Sequence, residues 1–417
     1  MAILDRPRVV IIGAGFAGLW AARTLSHSQA DILILDRNNY HSFFPLLYQV
    51  AAAELEPEDI VYPVRRILRE RKNVRFLMNE VTGMDLVARQ VTTTEHVFPY
   101  DFLVLAIGSN SHFFGVQGAS EYAFQLKTLE QAIALRNHIL FRFERALCEP
   151  DPQRRQQMLT FAIVGGGPTG VEFAGALAEL IRGPLVKDYQ SLEPREMHVL
   201  LLEAADRLLS SFPDRLGTYA VKRLRKMGVE IRLRTMVSRI TPAGVQLKDG
   251  TGIPLETVIW TAGVHGQAFD ADLPTLQNGQ VKVLPTLQSP NHPEIYVIGD
   301  LAYVEEAGIP LPMLAPVATQ QGETAARNII RQAKGQDPVP FHYHNRGTMA
   351  TIGRNAAIAH IGGQAVTGFP AWILWLGIHL FSLIGFRNRL LVLINWAWDY
   401  LFYERAIHLI VSPPVLR

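Results

Sequence analysis

The hydrophobic pattern of this chain consists of short, continuous apolar runs, several of which end in glycines. Such runs are typical of strands buried on both faces of a parallel sheet, whereas a half-exposed strand alternates apolar and polar residues. The two clearest runs lie in RVVIIGAGFAGLWAARTL (8–25) and FAIVGGGPTGVEFAGAL (161–177), and each turns through glycines into a helix-compatible segment. The pattern predicts an α/β fold with two Rossmann-like strand–turn–helix units.

The first turn has the spacing GxGxxG, formed by Gly13, Gly15 and Gly18. Gly13 permits the tight turn, Gly15 lets the backbone approach a pyrophosphate, and Gly18 allows close packing of helix and strand. The helix N-terminus then offers N–H groups and a positive dipole end to phosphate. The next apolar run ends at Asp36, about twenty residues beyond the glycines, where a carboxylate would bind a ribose hydroxyl.

The second turn repeats this arrangement with Gly165, Gly167 and Gly170, and its second strand, MHVLLLE, ends at Glu203. The intervening RGPLVKDYQSLEPRE predicts an extended helix and a loop. Glu203 would accept a hydrogen bond from a 2′-hydroxyl and repel a 2′-phosphate, so NADH is favoured over NADPH, although Arg207 is a nearby cation. Two sites suggest electron transfer between two dinucleotides; a duplicated domain with one inactive site is the alternative.

Composition limits the expected number of domains, the class of partner and the cellular compartment. A chain of 417 residues predicts two or three domains, and a formal net charge of +2 without a basic run excludes nucleic acid as the expected partner. Cys148, the only cysteine, lies at a predicted helix end and predicts neither a disulfide nor a zinc site. A reducing compartment is expected. The N-terminus enters a strand almost at once, so no secretory signal is expected.

Three further segments extend the pattern: DFLVLAIGS (101–109), TVIWTAGV (257–264) and EIYVIGD (294–300) are apolar runs entering a glycine turn. Together with the two GxGxxG units they resemble the two-dinucleotide-binding-domain flavoprotein superfamily, which has a glutathione-reductase-like fold. By that resemblance the first turn holds FAD, the second turn holds the nicotinamide cofactor, and Asp300 binds the ribityl chain.

The resemblance implies two sets of cofactor-binding residues. The FAD set is Gly13, Gly15, Phe16, Ala17, Gly18, Asp36, Arg37, Ala106, Gly108, Gly299 and Asp300. The nicotinamide set is Gly165, Gly167, Gly170, Glu203 and Gly263.

Within that superfamily the chain resembles the type II NADH:quinone oxidoreductases, which are single-subunit enzymes that do not pump protons. The resemblance is carried by residues 36–60, 165–179, 299–302 and 315–329. It implies a flavoenzyme that passes two electrons from NADH through FAD to a lipid-soluble quinone of naphthoquinone or benzoquinone type. The family often has a glutamine where this chain has Pro316, which puts a quinone contact at that position in doubt.

The same resemblance implies catalytic roles for Glu172, Gln320 and Gln321. The family uses the glutamate near the nicotinamide–flavin contact, and the glutamine at the Gln320 position faces the flavin and the quinone. Glu172 follows Gly170 in the predicted first turn of its helix. It could instead be a capping carboxylate that neutralises the helix dipole.

Cysteine content limits the electron acceptors. Disulfide reductases and sulfide:quinone reductases relay electrons through cysteines beside the flavin, but the corresponding HSFFPLLYQVAAAEL (41–55) contains none. Direct electron transfer from flavin to a quinone is therefore expected. The alternatives are a reductase of a soluble carrier such as ferredoxin and an NADH-binding redox sensor with little turnover.

Histidines offer weaker candidates. His342 and His344 would share one face of a predicted strand, but no third ligand is evident nearby, and surface or packing roles are favoured over a metal site. No metal is therefore expected. His41 lies near the expected flavin edge, where it could also simply cap a turn.

The composition changes after Phe369. FPAWILWLGIHLFSLIGF (369–386) contains no charged residue, and tryptophans and tyrosines follow beside Arg387, Arg389 and Arg405. Rings at headgroup level and cations near lipid phosphate favour helices lying in the membrane surface. A soluble core, a homodimer interface and a spanning helix are the alternatives; the last is disfavoured by Asp399.

The predicted organisation is an FAD-binding domain from residues 1–120 and 285–340, an NADH-binding domain from 121–284, and a helical membrane-docking region from 341–417. The expected location is the cytoplasmic face of a membrane, with monotopic attachment through the C-terminus.

Overall fold

The computed structural model describes residues 6–266, 273–402 and 409–410. These residues form two compact units. The described residues of the first unit fall within Met1–Ser42, Val61–Asn110 and Val264–Asn345, and those of the second fall within Phe43–Ile60, Ser111–Gly263 and Arg346–Arg417. The units are defined by packing and not by ligands, so the domain boundaries given above remain predictions.

The first unit is built on a six-stranded sheet whose central strand is Arg8–Ile12. The strand order is Gln288–Ser289, His292–Val297, Phe102–Leu105, Arg8–Ile12, Asp31–Asp36 and Val74–Met78. All neighbours are parallel except the first pair. Strands Arg8–Ile12 and Phe102–Leu105 are apolar almost throughout because both faces of the sheet are covered.

Two helices of this unit, Phe16–Leu25 and Ala315–Ala333, pack closely against each other. The approach depends on Gly322, where an added Cβ would lie 2.3 Å from the carbonyl oxygen of Ala17. Small residues therefore set the distance between these helices. The remaining regular elements of this unit are Tyr40–Ser42, Val61–Pro63, Val64–Ile67, Val81–Asp85, Gln90–Thr93, Val97–Pro99, Val264–Gly266, Val281–Lys282, Gly299–Leu301, Ala302–Tyr303, Glu305–Glu306 and Ile309–Pro310. The short strand Ser109–Ser111 lies where the chain passes from the first unit into the second.

The second unit contains a five-stranded parallel sheet. Its order is Phe124–Gln125, Thr257–Trp260, Thr160–Val164, His198–Leu202 and Val229–Arg232. Helix Pro168–Leu180 follows the central strand and continues through a π-helical turn, Ile181–Leu185, into Val186–Asp188. This confirms the predicted helical extension before the strand that leads to Glu203.

The second unit also contains the long helix Leu129–Leu147, which begins with a capping box between Thr128 and Gln131. Cys148 is the C-cap of this helix, which confirms the predicted helix end, and it is exposed. The other elements of the unit are Phe44–Leu46, Leu47–Ala51, Pro57–Asp59, Ala119–Tyr122, Pro152–Met158, Pro194–Glu196, Asp214–Lys226, Val237–Thr241, Gly244–Leu247, Gly252–Pro254, Thr348–Thr351, Ala357–Ile361 and Gln364–Gly368.

The chain continues into two C-terminal helices, Phe369–Ser382 and Phe386–Phe402. Asn388 donates from Nδ2 to the carbonyl oxygens of Glu58 and Asp59, both at 2.9 Å, and Asn395 donates to the Asp59 carboxylate at 2.8 Å. These bonds turn the polar face of the second helix towards the protein. Across the described residues, no helix combines the length and apolar character needed to cross a membrane. Arg405 lies outside the described residues.

Candidate functional site

The glycine turn of the first unit leaves open space where a ligand would approach. Gly13 has φ +103°, and an added Cβ at Gly18 would lie 1.9 Å from the carbonyl oxygen of Gly13. Gly15, in contrast, has no heavy atom within 4 Å of its would-be Cβ. Helix Phe16–Leu25 starts there, and among the described residues no side chain caps it. Helix N–H groups are thus directed at the place where the sequence predicts a pyrophosphate.

Two side chains fix the residue between the first two glycines. Asp36 accepts from the backbone N–H of Ala14 at 2.6 Å and from that of Asn38 at 2.8 Å. Burial raises the pKa of Asp36, and the two N–H groups partly offset this. His41 lies 3.1 Å from the Ala14 carbonyl oxygen, and burial lowers the pKa of His41 to about 4. The imidazole is therefore neutral and donates from Nδ1 to Ala14.

The Gly299–Asp300 turn is held by residues far away in the sequence. The Gly299 N–H donates to Gln321 Oε1 at 2.7 Å, and the Ser109 hydroxyl donates to Asp300 at 2.7 Å. Gly299 has φ +72° and Gly108 has φ +78°, so both turns use the left-handed region that favours glycine. Within the first unit the structure thus brings Ser109, Gly299, Asp300 and Gln321 together, with Gly108 next to Ser109 in the chain.

The other predicted residues of this unit differ in exposure. Ala17 and Ala106 are buried, Phe16 is half-buried, and Arg37 is exposed. Gln320 exchanges two hydrogen bonds with the backbone of His344, at 3.0 and 3.1 Å. Its amide therefore supports the segment that follows the helix.

The segment around His344 corrects one prediction. Residues 341–347 form no strand, so the histidines do not share a strand face. His342 lies 4.0 Å from Glu306, and in the described part of the chain no group of three potential ligands could hold a metal ion.

The glycine turn of the second unit has the same geometry. Gly165 has φ +112°, an added Cβ at Gly170 would lie 1.9 Å from the Gly165 carbonyl oxygen, and Gly167 faces open space. Glu203 accepts from the backbone N–H of Gly166 and from that of Ala205, the latter at 2.7 Å. Each unit therefore has a strand-end carboxylate bound to the residue after its first glycine.

Two neighbours of this turn bear on its specificity. Gly263 has φ +66°, and an added Cβ would collide with the ring of Phe114, so the turn at Gly263 is closely packed. Arg207 forms an ion pair with Asp214. The Arg207 charge is thus offset by a partner, which weakens it as a potential ligand for a 2′-phosphate.

Glu172 is half-buried in the second unit. It accepts from the backbone N–H of Thr351 at 3.3 Å, and burial raises the pKa of Glu172 to about 8. The carboxyl group is therefore largely protonated at neutral pH. Its predicted position was wrong: the first turn of helix Pro168–Leu180 contains no acidic residue, so Glu172 does not cap the helix.

Sequence reasoning missed a series of hydrogen-bonded side chains that leads from Thr351 to the last helix; it is called the polar chain below and consists of Thr351, Tyr48, Gln49 and Trp396. Tyr48 hydroxyl and Thr351 hydroxyl are 3.3 Å apart, Gln49 donates to the Tyr48 hydroxyl at 3.2 Å, and the Trp396 indole donates to Gln49 at 3.0 Å. Because Gln49 donates to Tyr48, the Tyr48 hydroxyl is free to donate to Thr351. The only sequence signal was one glutamine within the apolar LLYQVAAA.

The residues of the polar chain line an apolar cavity of about 530 Å³ within the second unit. Trp372, Trp375 and Tyr400, from the two C-terminal helices, also line this cavity. Trp375 is only 1% exposed and also faces the Glu172 carboxyl. The cavity therefore has aromatic walls and a few polar groups, which is typical of a site for an apolar ring with polar substituents.

Comparison with known proteins gives consistent matches over nearly the whole chain. The family Pyridine nucleotide-disulphide oxidoreductase matches residues 7–322, and the family NDH2 C-terminal domain matches residues 345–404. The type II NADH:quinone oxidoreductase Ndh of Mycobacterium tuberculosis is 38% identical over 96% of this chain and 89% of its own length. The type II NADH:quinone oxidoreductase of Staphylococcus haemolyticus is 33% identical over 88% of this chain and 92% of its own length.

A solved structure has the same fold at low sequence identity. NDH2 from Plasmodium falciparum, solved in complex with NADH, superimposes with a TM-score of 0.88 at 18% identity. The match covers 97% of this chain and 100% of that one. The predicted fold of two dinucleotide-binding units with C-terminal helices is thereby confirmed.

The carboxylate of the second unit generates a test of cofactor choice. We expect Glu203→Gln to reduce the preference for NADH over NADPH by about tenfold, because the amide keeps a hydrogen-bond acceptor but no longer repels a 2′-phosphate. Steady-state kcat/KM for both cofactors measures the change. Asp206→Ala removes a nearby exposed carboxylate and should change the ratio much less. An unchanged ratio in Glu203→Gln would contradict the role assigned to Glu203.

Proposed function

This chain belongs to the type II NADH:quinone oxidoreductase family, and from that membership we propose how its residues carry two electrons from NADH through FAD to a quinone. The family assignment confirms the resemblance drawn from the sequence. The observation that supports the proposal most directly is that both units contain the same open glycine turn, which suits two dinucleotides. The single cysteine is exposed, so it is not placed to relay electrons beside a buried flavin.

The residues of the first unit fit FAD. An open turn at Gly15 and an uncapped helix end suit a pyrophosphate, and a carboxylate at Asp36 stands at the strand end where a ribose binds. We propose that Asp300, oriented by Ser109, binds the ribityl chain. When bound, FAD accepts two electrons from NADH and passes them on; the protein residues bind, orient and exclude water.

The second unit is proposed to bind NADH at the turn of Gly165, Gly167 and Gly170. Glu203 is held at the strand end by two backbone N–H groups, so its negative charge is positioned to face the ribose and disfavour a 2′-phosphate. The closely packed turn at Gly263 is proposed to lie against the same cofactor.

The apolar cavity of the second unit is proposed to admit the quinone. Its size suits a substituted ring with part of an isoprenoid tail, and its indole and phenol groups suit ring stacking and hydrogen bonding. No sulfur relay is available from the one cysteine, Cys148, which is exposed at a helix end.

Quinone reduction also requires protons, and Glu172 is proposed to supply one. Its raised pKa keeps a proton available near neutral pH, and it lies next to Thr351 and Trp375, which line the cavity. Gln320 and Gln321 are proposed to support the flavin from the first unit, Gln321 through its bond to Gly299.

The C-terminal helices are proposed to attach the enzyme peripherally to the cytoplasmic face of a membrane. Their outward surfaces carry large exposed apolar side chains, among which Phe381 is 78% and Phe386 is 81% exposed, and Arg387 beside them is exposed. Such a surface suits burial at the headgroup boundary. A lipid-dissolved quinone would then reach the cavity from the membrane, whereas NADH would arrive from water.

The proposed reaction predicts a simple optical cycle. The purified protein should be yellow, NADH should bleach the absorption without oxygen, and a short-chain benzoquinone or naphthoquinone should restore it within the turnover time. Absence of bound flavin would end the proposal. Recovery with ferredoxin but with no quinone would instead identify a soluble-carrier reductase, and slow recovery with every acceptor beside tight NADH binding would identify a redox sensor.

The proton role of Glu172 predicts a pH effect. We expect quinone reduction to slow as the pH rises through about 8, because the carboxyl loses its proton there. Glu172→Gln should keep bleaching by NADH, lower the quinone step by about tenfold or more, and remove this pH dependence. Stopped-flow absorbance separates the two half-reactions. A Gln variant with the wild-type pH profile would assign the proton to another group.

Membrane attachment predicts an effect of charge on the exposed apolar face. We expect Phe381→Asp combined with Phe386→Asp to release the enzyme from lipid vesicles while flavin remains bound, because two apolar rings are lost and two carboxylates would have to enter the acyl-chain boundary. Val87→Asp, at a position 94% exposed in the first unit, is the matched control and should still float with vesicles. Unchanged flotation of the double variant would show that another surface attaches the protein. Loss of dimers without loss of flotation would show that this face forms a homodimer.

A further inference from the structure

A second cavity of the second unit, of about 350 Å³, has a strongly basic lining. Three arginines contribute to it, Arg182, Arg223 and Arg354, together with one carboxylate, Glu179. This basic cavity lies apart from the glycine turn at which the phosphates of NADH are proposed to bind, and no residue of that turn lines it. Three guanidinium groups against one carboxylate leave an excess of positive charge, so an anion is the expected ligand.

Two of the three guanidinium groups are held in place by backbone carbonyls. Arg182 donates from Nη2 to the Gly228 carbonyl oxygen at 3.2 Å, and Arg223 donates from Nη2 to the Arg354 carbonyl oxygen at 2.7 Å. These bonds fix the direction of each side chain but use only part of its five donors. Pre-oriented arginines of this kind are suited to bidentate binding of phosphate oxygens.

The basic cavity adjoins the apolar cavity. Glu179 and Arg354 line both, and the Arg354 guanidinium lies 5.8 Å above the ring of Tyr400, on the second C-terminal helix. A molecule bound here would therefore have a charged part among arginines and an apolar part beside aromatic rings. That division of polarity is the chemistry of an amphiphile rather than of a free nucleotide or an inorganic ion.

We propose that the basic cavity binds the phosphate headgroup of an anionic phospholipid, whose acyl chains extend past Tyr400 along the C-terminal helices. The volume suits a phosphoglycerol headgroup, and Gly183 adds room because its would-be Cβ has no heavy atom within 4 Å. This inference rests on the proposed attachment of those helices to a membrane. It adds a preference for anionic over neutral phospholipids, which apolar side chains alone would not provide.

The alternative is that the arginines only brace neighbouring carbonyl groups. In that case removing one arginine would lower stability but would not change any preference between lipids. Selectivity for a headgroup, measured on a monomeric lipid in solution, distinguishes the two.

The test uses purified holoenzyme in neutral detergent and short-chain lipids below their micelle concentration. We expect dihexanoyl phosphatidylglycerol to bind at least about tenfold more tightly than dihexanoyl phosphatidylcholine, by calorimetric titration, and Arg182→Gln to remove most of this difference. Arg182→Lys, which keeps a positive charge, should retain part of it. Arg225→Gln, an exposed position that does not line the cavity, should leave it unchanged.

Several outcomes would overturn the proposal. Equal binding of the two lipids by the wild-type protein would exclude a headgroup site, as would equal selectivity in Arg182→Gln. Inorganic phosphate that binds as tightly as the anionic lipid would assign the cavity to a free anion. If Arg182→Gln does not fold, the affinities of the wild-type protein and of Arg182→Lys for the two lipids still show whether the cavity selects the anionic headgroup. Turnover of a water-soluble quinone and flotation with neutral vesicles, measured in parallel, report separately on the proposed function and on attachment.

Discussion

The close approach of a helix to the turn that precedes it governs both cofactor-binding units. At Gly18 and at Gly170 a Cβ would lie 1.9 Å from the carbonyl oxygen of the first glycine of the same turn, which no side chain can tolerate. Because the helix begins so close to the strand end, its N-terminal N–H groups face the space above the turn. The middle glycines, Gly15 and Gly167, leave that space open. The proposed binding of a pyrophosphate and the packing of the unit therefore depend on the same missing side chains.

The strand-end carboxylates hold these turns in place, besides their proposed contacts with the ligand. Asp36 and Glu203 each accept the N–H of the residue that follows the first glycine, which holds the turn in its left-handed conformation. A carboxylate held in this way cannot turn aside to avoid a 2′-phosphate. The proposed role of Glu203 in cofactor preference would therefore be linked to loop geometry, and even an isosteric amide would affect both, because it keeps only one of the two acceptor oxygens that hold the turn.

The sequence predicted these features because they are local. An apolar run, a glycine spacing and a carboxylate about twenty residues later occupy one strand–turn–helix unit, so spacing alone relates them. The polar chain could not be predicted in this way, because Tyr48 and Gln49 meet Thr351 and Trp396 across some three hundred residues. For the same reason, the sequence left open a helix cap as an alternative role for Glu172, whereas its hydrogen-bond partner is a strand residue far along the chain. Long-range pairing of single polar residues leaves almost no periodic signal.

Those long-range contacts give the C-terminal helices a second role. Trp375, from the first of them, is almost wholly buried and faces Glu172, and Trp396, from the second, is bonded to Gln49. The helices therefore help to exclude water from the carboxyl group, and exclusion of water is the main cause of its raised pKa. If their outer faces lie on a membrane, any shift of the helices on binding lipid would reach Glu172 through these two tryptophans. Attachment and proton supply would then be properties of one set of contacts, so loosening the helices should lower the pKa of Glu172 as well as membrane affinity.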